Sequence, residues 1–579
     1  MNTSRRTFVA GSALAATTLG ISSGLAFAQE PPAAQTDPAD GPWYGAPADL
    51  DSFDFCETID VELLICGYGS SGLIATAVAA QEGINALTIE KAPIGGDPKG
   101  LGIIGASIDK DYGIEVDPIA VTNEVARYAN GWGDPRVIKV WATESGATYD
   151  WICDTIGDLG ARPYLEYDVD DGTHGIWTTQ PIDHWFKIEY SPEVLAAAEA
   201  AVAEAGDPAA SVGILPTWGM LLRNRIEQEW GAKVRLNTEL VQLIKEDGRV
   251  TGAVALGPDG YVRINASQAV ILATGGYEAN IDLLKRLNPE SERVCGFPMY
   301  YPFNMGEGIR AGIWAGGVKD AIPTLMTFAR AAMAPDAKLG APYVGTTCWM
   351  GDQPFPKVNL DGVRVCCETS PYDYPLHVAS KQRECKLFSV WDANYRDHIA
   401  QFHTIGCSRI MPTTSTMLDG TPINAEGGLG GFELNDAIIA DAVAAGVIQT
   451  ADTIAELAEK CGINPEAMVA TIENYNRMAA EGVDAEFGKP AKDLIALDTP
   501  PYYACAFGGH LLCTLDGLQI DPNMRVLDAE NIPIPGLYAV GNCSGSFYAG
   551  TYPELFISNA MGRSVTFARH AVLHIKNNM

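Results

Sequence analysis

Three glycines, Gly67, Gly69 and Gly72, stand in GxGxxG spacing between the apolar run Val61–Cys66 and a small-residue stretch, Ser71–Gln81. That spacing can hold a dinucleotide. The first glycine makes a tight turn, the second lets backbone approach a pyrophosphate, and the third lets a helix lie close on the preceding strand. Ser70 and Ser71 open the helix, where N–H groups without intrahelical partners face phosphates. A second apolar run, Ala86–Ile89, ends on Glu90. An acid at that point accepts a ribose 2′-hydroxyl and repels a 2′-phosphate, which favours FAD or NAD over NADP.

To position these residues the chain needs a strand, a turn, a helix and a second strand, and their patterns occur in that order. Lys91 follows the acid, and Gly95-Gly96-Asp97 begins a second glycine-dense loop placed to pass the same ligand. Helical patterns cover Thr122–Tyr128, Val137–Ile156, Pro192–Ala205 and Met220–Gln228, the third inside an irregular stretch from Gly160 to Pro216. Strands are expected at Lys233–Leu236, at Leu240–Ile244, which includes Val241, and at Val250–Ala255 after a hairpin at Glu246–Arg249. Ala269–Leu272 runs into Ala273-Thr274-Gly275-Gly276. Near the end, Gly536–Val540 enters Gly541-Asn542, and Asn559–Ile575 reads as a helix. A helix start there would offer its N–H groups and dipole to a bound ligand.

The length of 579 residues suffices for two domains with large cores. Acidic residues number 72 against 39 basic ones and are scattered, which argues against nucleic acid as a partner. Such charge serves solubility or steers a basic electron donor. Thirteen cysteines, an odd count without regular spacing, make no disulfide framework. Without a CxxCH or CxxC pair, haem, cluster or metal chemistry has no support. Arg5-Arg6, the apolar run Val9–Leu25 and Ala26-Phe27-Ala28 read as a cleavable twin-arginine signal over 1–28. The expected location is therefore extracytoplasmic and soluble. Residues 29–55, rich in Pro, Ala and Asp, read as a mobile leader.

The fingerprint occurs together with Glu90-Lys91-Ala92-Pro93, Ile271–Gly276, Gly306-Glu307-Gly308-Ile309 and Gly536–Asn542. From Asp60 to Ala571 this combination resembles the flavoprotein family of fumarate reductase and succinate dehydrogenase, with urocanate reductase and the 3-ketosteroid dehydrogenases. The resemblance implies an α/β fold: a Rossmann-like FAD-binding domain, 56–330 and 496–579, split by an α+β capping domain at 331–495. It implies FAD, held at Gly67, Gly69, Ser70, Ser71, Gly72, Glu90, Lys91, Gly96, Val241, Ala273, Thr274, Gly275, Gly541, Asn542 and Asn559. The implied chemistry is hydride exchange between flavin N5 and a carbon–carbon bond beside an electron-withdrawing group.

Departures from the family bear on the substrate. Thr327 and Cys513 stand where the family clamps a dicarboxylate with histidines, Tyr552 where it uses an arginine, and Tyr372 at the proton-donating arginine. Carboxylates buried without cations would cost several kcal/mol each, so fumarate is expected to be a poor substrate. Thr551-Tyr552-Pro553 is similar to the steroid dehydrogenase branch, whose tyrosine donates a hydrogen bond to a substrate carbonyl. The expected function is reduction of an α,β-unsaturated carbonyl compound, an aromatic or phenolic enone or enoate or a steroid enone. Tyr372 would be the general acid and Tyr552 the donor to the developing oxyanion, with Glu368 orienting a tyrosine or facing water. His377, His398, His403 and His510 are read as structural, His510 lying near the expected active-site edge. With no second redox centre in the chain, the donor is expected to be a membrane-associated haem or flavin protein serving respiration, as in the exported reductases of anaerobic gut bacteria that the chain resembles. Two other classes stay open: a 3-ketosteroid-type dehydrogenase running oxidatively, and an electron-shuttling flavoprotein.

Overall fold

The structure is a computed structural model describing residues 45–165, 183–205, 214–298, 302–370, 372–402, 404, 408, 410, 431–553 and 556–578. The signal at 1–28, the leader up to 44 and His403 lie outside the described residues. Strand β1 (Phe55–Cys66), helix α1 (Ser70–Gln81) and strand β2 (Ala86–Ile89) form the expected βαβ unit, with β1 and β2 parallel. Helix α1 is buried from Ser71 to Ala79, because small residues let it lie between β1 and neighbouring helices. Helix α2 (Pro135–Ile156) starts on a cap, the Asp134 side chain accepting from Arg136 N–H, with Pro at the first helical position.

The same sheet continues through β3 (Lys233–Arg235), β4 (Glu239–Glu246), β5 (Arg249–Gly257) and β6 (Gly260–Leu272). Asp247 and Gly248, with φ 48° and 82°, make the two-residue turn joining β4 to β5. The inserted unit supplies β7 (Leu325–Met333), β8 (Phe388–Trp391) and β9 (Tyr502–Thr514). The chain then returns as β10 (Arg525–Leu527), β11 (Pro533–Ala539) and helix α3 (Asn559–Asn577). Among the described residues the first sheet has the order β10-β11-β6-β1-β2-β3, with the β4–β5 hairpin added on β6. Strands β1, β2, β6 and β11 run parallel, so their carboxyl ends share one edge.

The second sheet is built on β9, which pairs antiparallel with β7 and β8. The β7–β9 ribbon belongs to two cores. Leu325–Ala329 and Phe507–Cys513 contribute to the core of the first sheet, whereas Ala332, Met333 and Ala504–Ala506 contribute to the core of the insert. The chain thus crosses between the two units inside paired strands. The expected cap edge at 331 falls within β7, and the edge at 495 lies before the crossing in β9.

Two expectations are corrected. The end of the leader docks: Phe53 is buried edge-on against Tyr261 at 4.9 Å, and Ala48 exchanges hydrogen bonds with the Gln242 side chain. Burying Leu50 and Phe53 outweighs the composition that suggested mobility. The irregular stretch after Gly160 also holds an antiparallel pair, Ala161–Leu165 with Asp183–Ile188. Its second strand is anchored by a buried contact of His184 Nε2 with Asp109 Oδ1 at 2.6 Å. No helix among the described residues is long and apolar enough to cross a membrane.

Candidate active site

The shared carboxyl edge gathers the glycine loops. A Cβ on Gly67, whose φ is 105°, would stand 2.4 Å from the Ala273 carbonyl oxygen, and one on Gly72 would stand 1.9 Å from Gly67 O. These close approaches bring the loop after β1 against Ala273-Thr274-Gly275 after β6. A Cβ on Gly69 would meet nothing within 4 Å. Open space over that turn, at the N-terminus of α1, is what a pyrophosphate requires. Gly96 presses on the same turn, its Cβ position 3.0 Å from Gly69 Cα. From the end of β11, Gly541 places its Cα hydrogens against Ser71 Oγ.

Glu90 ends β2 with its carboxylate pinned by Tyr68 N–H at 2.7 Å and Ala92 N–H at 2.8 Å. Burial pushes its pKa up against these two donors, and its remaining lone pairs suit ribose hydroxyls. Lys91 turns away from that acid into an ion pair with Glu307. Val241 packs its side chain against the cluster of Phe53, Ile244 and Tyr261. At the start of α3, Asn559 is fully buried; its Oδ1 accepts from Tyr548 O–H while its Nδ2 has no partner among the described residues. An orphan donor at the start of α3, the open turn at Gly69 and the pinned acid fit FAD along this edge.

The two tyrosines lie together where the β7–β9 ribbon meets this edge. Their ring centroids are 6.2 Å apart and both are buried. Tyr548 lies 5.7 Å from Tyr552, and Phe328 of β7 meets Tyr372 edge-on at 4.5 Å. The Tyr552 hydroxyl oxygen accepts from Ala560 N–H at 3.2 Å, which polarises its own O–H bond. Tyr372 has φ 61°, a rare conformation for a bulky residue. Its neighbour Asp373 ties the insert to the loop after β11. Its Oδ2 accepts from Thr551 Oγ1 at 2.6 Å and from Tyr552 N–H at 3.4 Å. Burial pushes the Asp373 carboxyl up to about 7.

Glu368 neither faces water nor touches a tyrosine through any described hydrogen bond. Both of its oxygens take the Arg364 guanidinium, at 2.8 and 2.9 Å, and Lys489 lies 3.5 Å away. Burial pushes its pKa up, but Lys489, Arg364 and Lys357 prevail and hold the carboxyl below the usual range. Asp484 shares Arg364 at 2.8 Å, so this buried network braces the insert. Thr327 and Cys513, at the positions expected to lack clamping cations, sit on β7 and β9, with Cys513 Sγ 3.7 Å from Met326 Sδ.

Two groups escaped the sequence reading, and a third, His510, is expected near this edge but read as structural. Arg563 of α3 is fully buried; it donates to Gly541 O at 3.0 Å and Asn542 Oδ1 at 3.2 Å, and lies 4.9 Å from the Tyr548 ring centre. Arg330 stacks over Phe328 at 4.2 Å, with Asp352 at 3.6 Å from its Nε. His510 is 5% exposed and neither ring nitrogen has a hydrogen-bond partner among the described residues. Single charged residues inside apolar strands or helices carried the only signal for the first two.

The family described as FAD binding domain matches residues 62–339 and 382–554. A vinyl phenol reductase of Lactiplantibacillus plantarum is 25% identical over 525 residues, 89% of this chain and 96% of that protein. The fumarate reductase (cytochrome) of Shewanella frigidimarina is also 25% identical, over 89% of this chain and 76% of that protein. The fold is shared with 3-ketosteroid-Δ4-(5α)-dehydrogenase from Rhodococcus jostii RHA1, at TM-score 0.63 and 20% identity, over 92% of this chain and 99% of that one. With its glycine cradle, pinned acid and inserted cap, the chain belongs to the FAD binding domain family, and its cofactor is FAD.

Proposed function

We propose that this FAD-dependent oxidoreductase reduces the carbon–carbon double bond of an α,β-unsaturated carbonyl compound, an aromatic or phenolic enone or enoate or a steroid enone, and not fumarate. The observation that carries the reading is the buried pair Tyr372 and Tyr552, 6.2 Å apart, one from the insert and one from the loop that closes the FAD domain. When bound and reduced, FAD supplies the hydride for the β-carbon. Tyr552 donates its hydroxyl hydrogen to the substrate oxygen on which charge develops. Tyr372 gives the proton to the α-carbon, directly or through a water molecule. Asp373 holds the two in one geometry by binding Thr551 and Tyr552 while following Tyr372 in the chain. The aromatic wall of Phe328 and Tyr548 keeps the site dry, which strengthens both hydrogen bonds.

Support for an unsaturated acceptor also comes from the relative named as a vinyl phenol reductase, aligned along nearly its whole length. Arg330 lies beside the site with Asp352 as counter-ion, and a site with that charge already balanced suits an acceptor less charged than a dicarboxylate. Export through the twin-arginine signal and electron delivery by a membrane-associated haem or flavin protein complete the reading, in a respiratory role. The test is anaerobic reoxidation of reduced viologen by the purified FAD-loaded protein. Fumarate, cinnamates, stilbenes, phenolic enones and steroid enones are supplied one at a time. Turnover with a neutral aromatic or steroid enone and none with fumarate is the expected result. Turnover with fumarate overturns the reading.

A further inference from the structure

A β-bulge brings His510 to the site. Along the β7–β9 ribbon Met326 lies opposite Cys513, Thr327 opposite Leu511, and Phe328 opposite His510. One step on β7 therefore spans two on β9, and Leu512 is the extra residue. Without the bulge, His510 and Cys513, three residues apart, would point to opposite faces. With it, both share the face of Met326 and Phe328, consistent with the 3.7 Å contact between Met326 and Cys513. That is the face on which Phe328 meets Tyr372.

At this place the imidazole is costly to keep. It is 5% exposed, both ring nitrogens lack a hydrogen-bond partner among the described residues, and Phe297 packs against it edge-on at 5.0 Å. A buried polar group without a hydrogen bond destabilises the fold unless a ligand satisfies it. Burial, and then the Arg330 charge, push its pKa well below the ordinary value, so the ring is neutral and offers one donor and one acceptor. A hydroxyl is both donor and acceptor and matches it. A carboxylate accepts only, and would bring a charge that a neutral ring does not balance.

We propose that His510 is the specificity-determining residue of this site, hydrogen-bonding a hydroxyl on the aromatic ring of the substrate while the conjugated double bond lies toward Tyr372 and Tyr552. Phe297 and Phe328 flank it and select the ring. This rests on the reductase reading and narrows its acceptor to hydroxylated aromatic compounds.

The experiment compares a 4-hydroxyphenyl enone with its analogue lacking the hydroxyl, in the FAD-loaded wild type, His510→Phe and His510→Gln. The wild type is expected to prefer the hydroxylated compound in kcat/KM by at least roughly tenfold. His510→Phe brings that ratio within about twofold, mainly by raising KM for the hydroxylated compound, and leaves the flavin spectrum unchanged. His510→Gln, able to donate and accept, retains part of the preference. Because Phe removes an unsatisfied polar group, its thermal midpoint rises by about 1–3 °C, a gain a merely structural histidine would not give. An unchanged ratio in His510→Phe, or a wild type without preference, overturns the proposal. Should the wild type reduce no conjugated alkene, the reductase reading fails separately. Binding of the hydroxylated compound, read from the flavin absorbance, then decides: affinity at least about tenfold weaker in His510→Phe upholds the role of His510, and equal affinity overturns it.

Discussion

Tyr372 occupies a left-handed backbone conformation, φ 61°, that costs an L-residue roughly 1–2 kcal/mol. Strain of this kind persists where the surroundings fix it, here Phe328 on one side and the Asp373 tether on the other. A phenol held so is useful as a general acid even though its ordinary pKa, near 10, makes it a weak one. Tyr372→Phe keeps the ring and its packing, and should lower turnover by at least roughly tenfold with the flavin spectrum unchanged. Turnover within twofold of wild type would place the proton elsewhere. Asp373 makes a second prediction, through pH. Its carboxyl is raised by burial from 3.8 to about 7, so in the native state it keeps its proton longer than in the unfolded chain. The stability this confers is complete below the unfolded value and is lost as pH rises through about 7. The thermal midpoint of the wild type should therefore fall from about pH 5 to about pH 8. In Asp373→Asn, which still accepts from Thr551 and cannot ionise, the fall should be smaller by about 1–3 °C. Parallel curves for the two proteins would assign the pH dependence to other buried carboxyls, such as Asp320.

At the scale of elements, the βαβ unit was legible because its signals are local: an apolar run, glycines that end it, small residues that let α1 lie flat on β1, and an acid closing β2. The open space over Gly69 turns that motif into a prediction. Its backbone, φ −74°, is one any residue adopts, and a Cβ there meets nothing within 4 Å among the described residues. Gly69→Val should thus fold with a near-native far-UV spectrum yet purify without FAD, since the valine fills the path of the pyrophosphate. A yellow, fully loaded variant would refute the cradle. The site's other half was only partly legible. Tyr372 and Tyr552 could be proposed from their places in the family pattern, but their contact depends on a ribbon crossing from one core to the other. His510, expected near this edge, was given no role there for a sharper reason: simple alternation along β9 sends it to the wrong face, and only pairing with β7 reveals the bulge. The network around Glu368 was equally out of reach, since Lys489 meets it, and Asp484 shares its partner Arg364, through the fold of the insert and not through neighbouring sequence. The docking of Phe53 depends likewise on Tyr261, far along the chain.

At the scale of the whole molecule, a formal charge of −33 must shape every encounter with a charged donor. Scattered surface carboxylates create a field that raises the local concentration of cations and speeds their approach. Its reach is set by salt: the Debye length is about 30 Å at 0.01 M and about 3 Å at 1 M. With the radical cation of a reduced viologen as donor, under conditions where electron delivery limits turnover, the second-order rate should fall at least about threefold as salt rises from about 0.01 to 0.5 M. A neutral donor should show little change over the same range, because its approach feels no net field. Added salt also perturbs folding, so the flavin spectrum and thermal midpoint are followed in parallel; constant values assign the loss to the encounter. The same comparison bears on the natural donor. A steep decline confined to cationic donors is what a basic partner protein would exploit. Equal salt dependence for both donors would leave the acidic surface to solubility alone, and the electron-donating partner would then have to be recognised by shape near the edge where β1, β6 and β11 end.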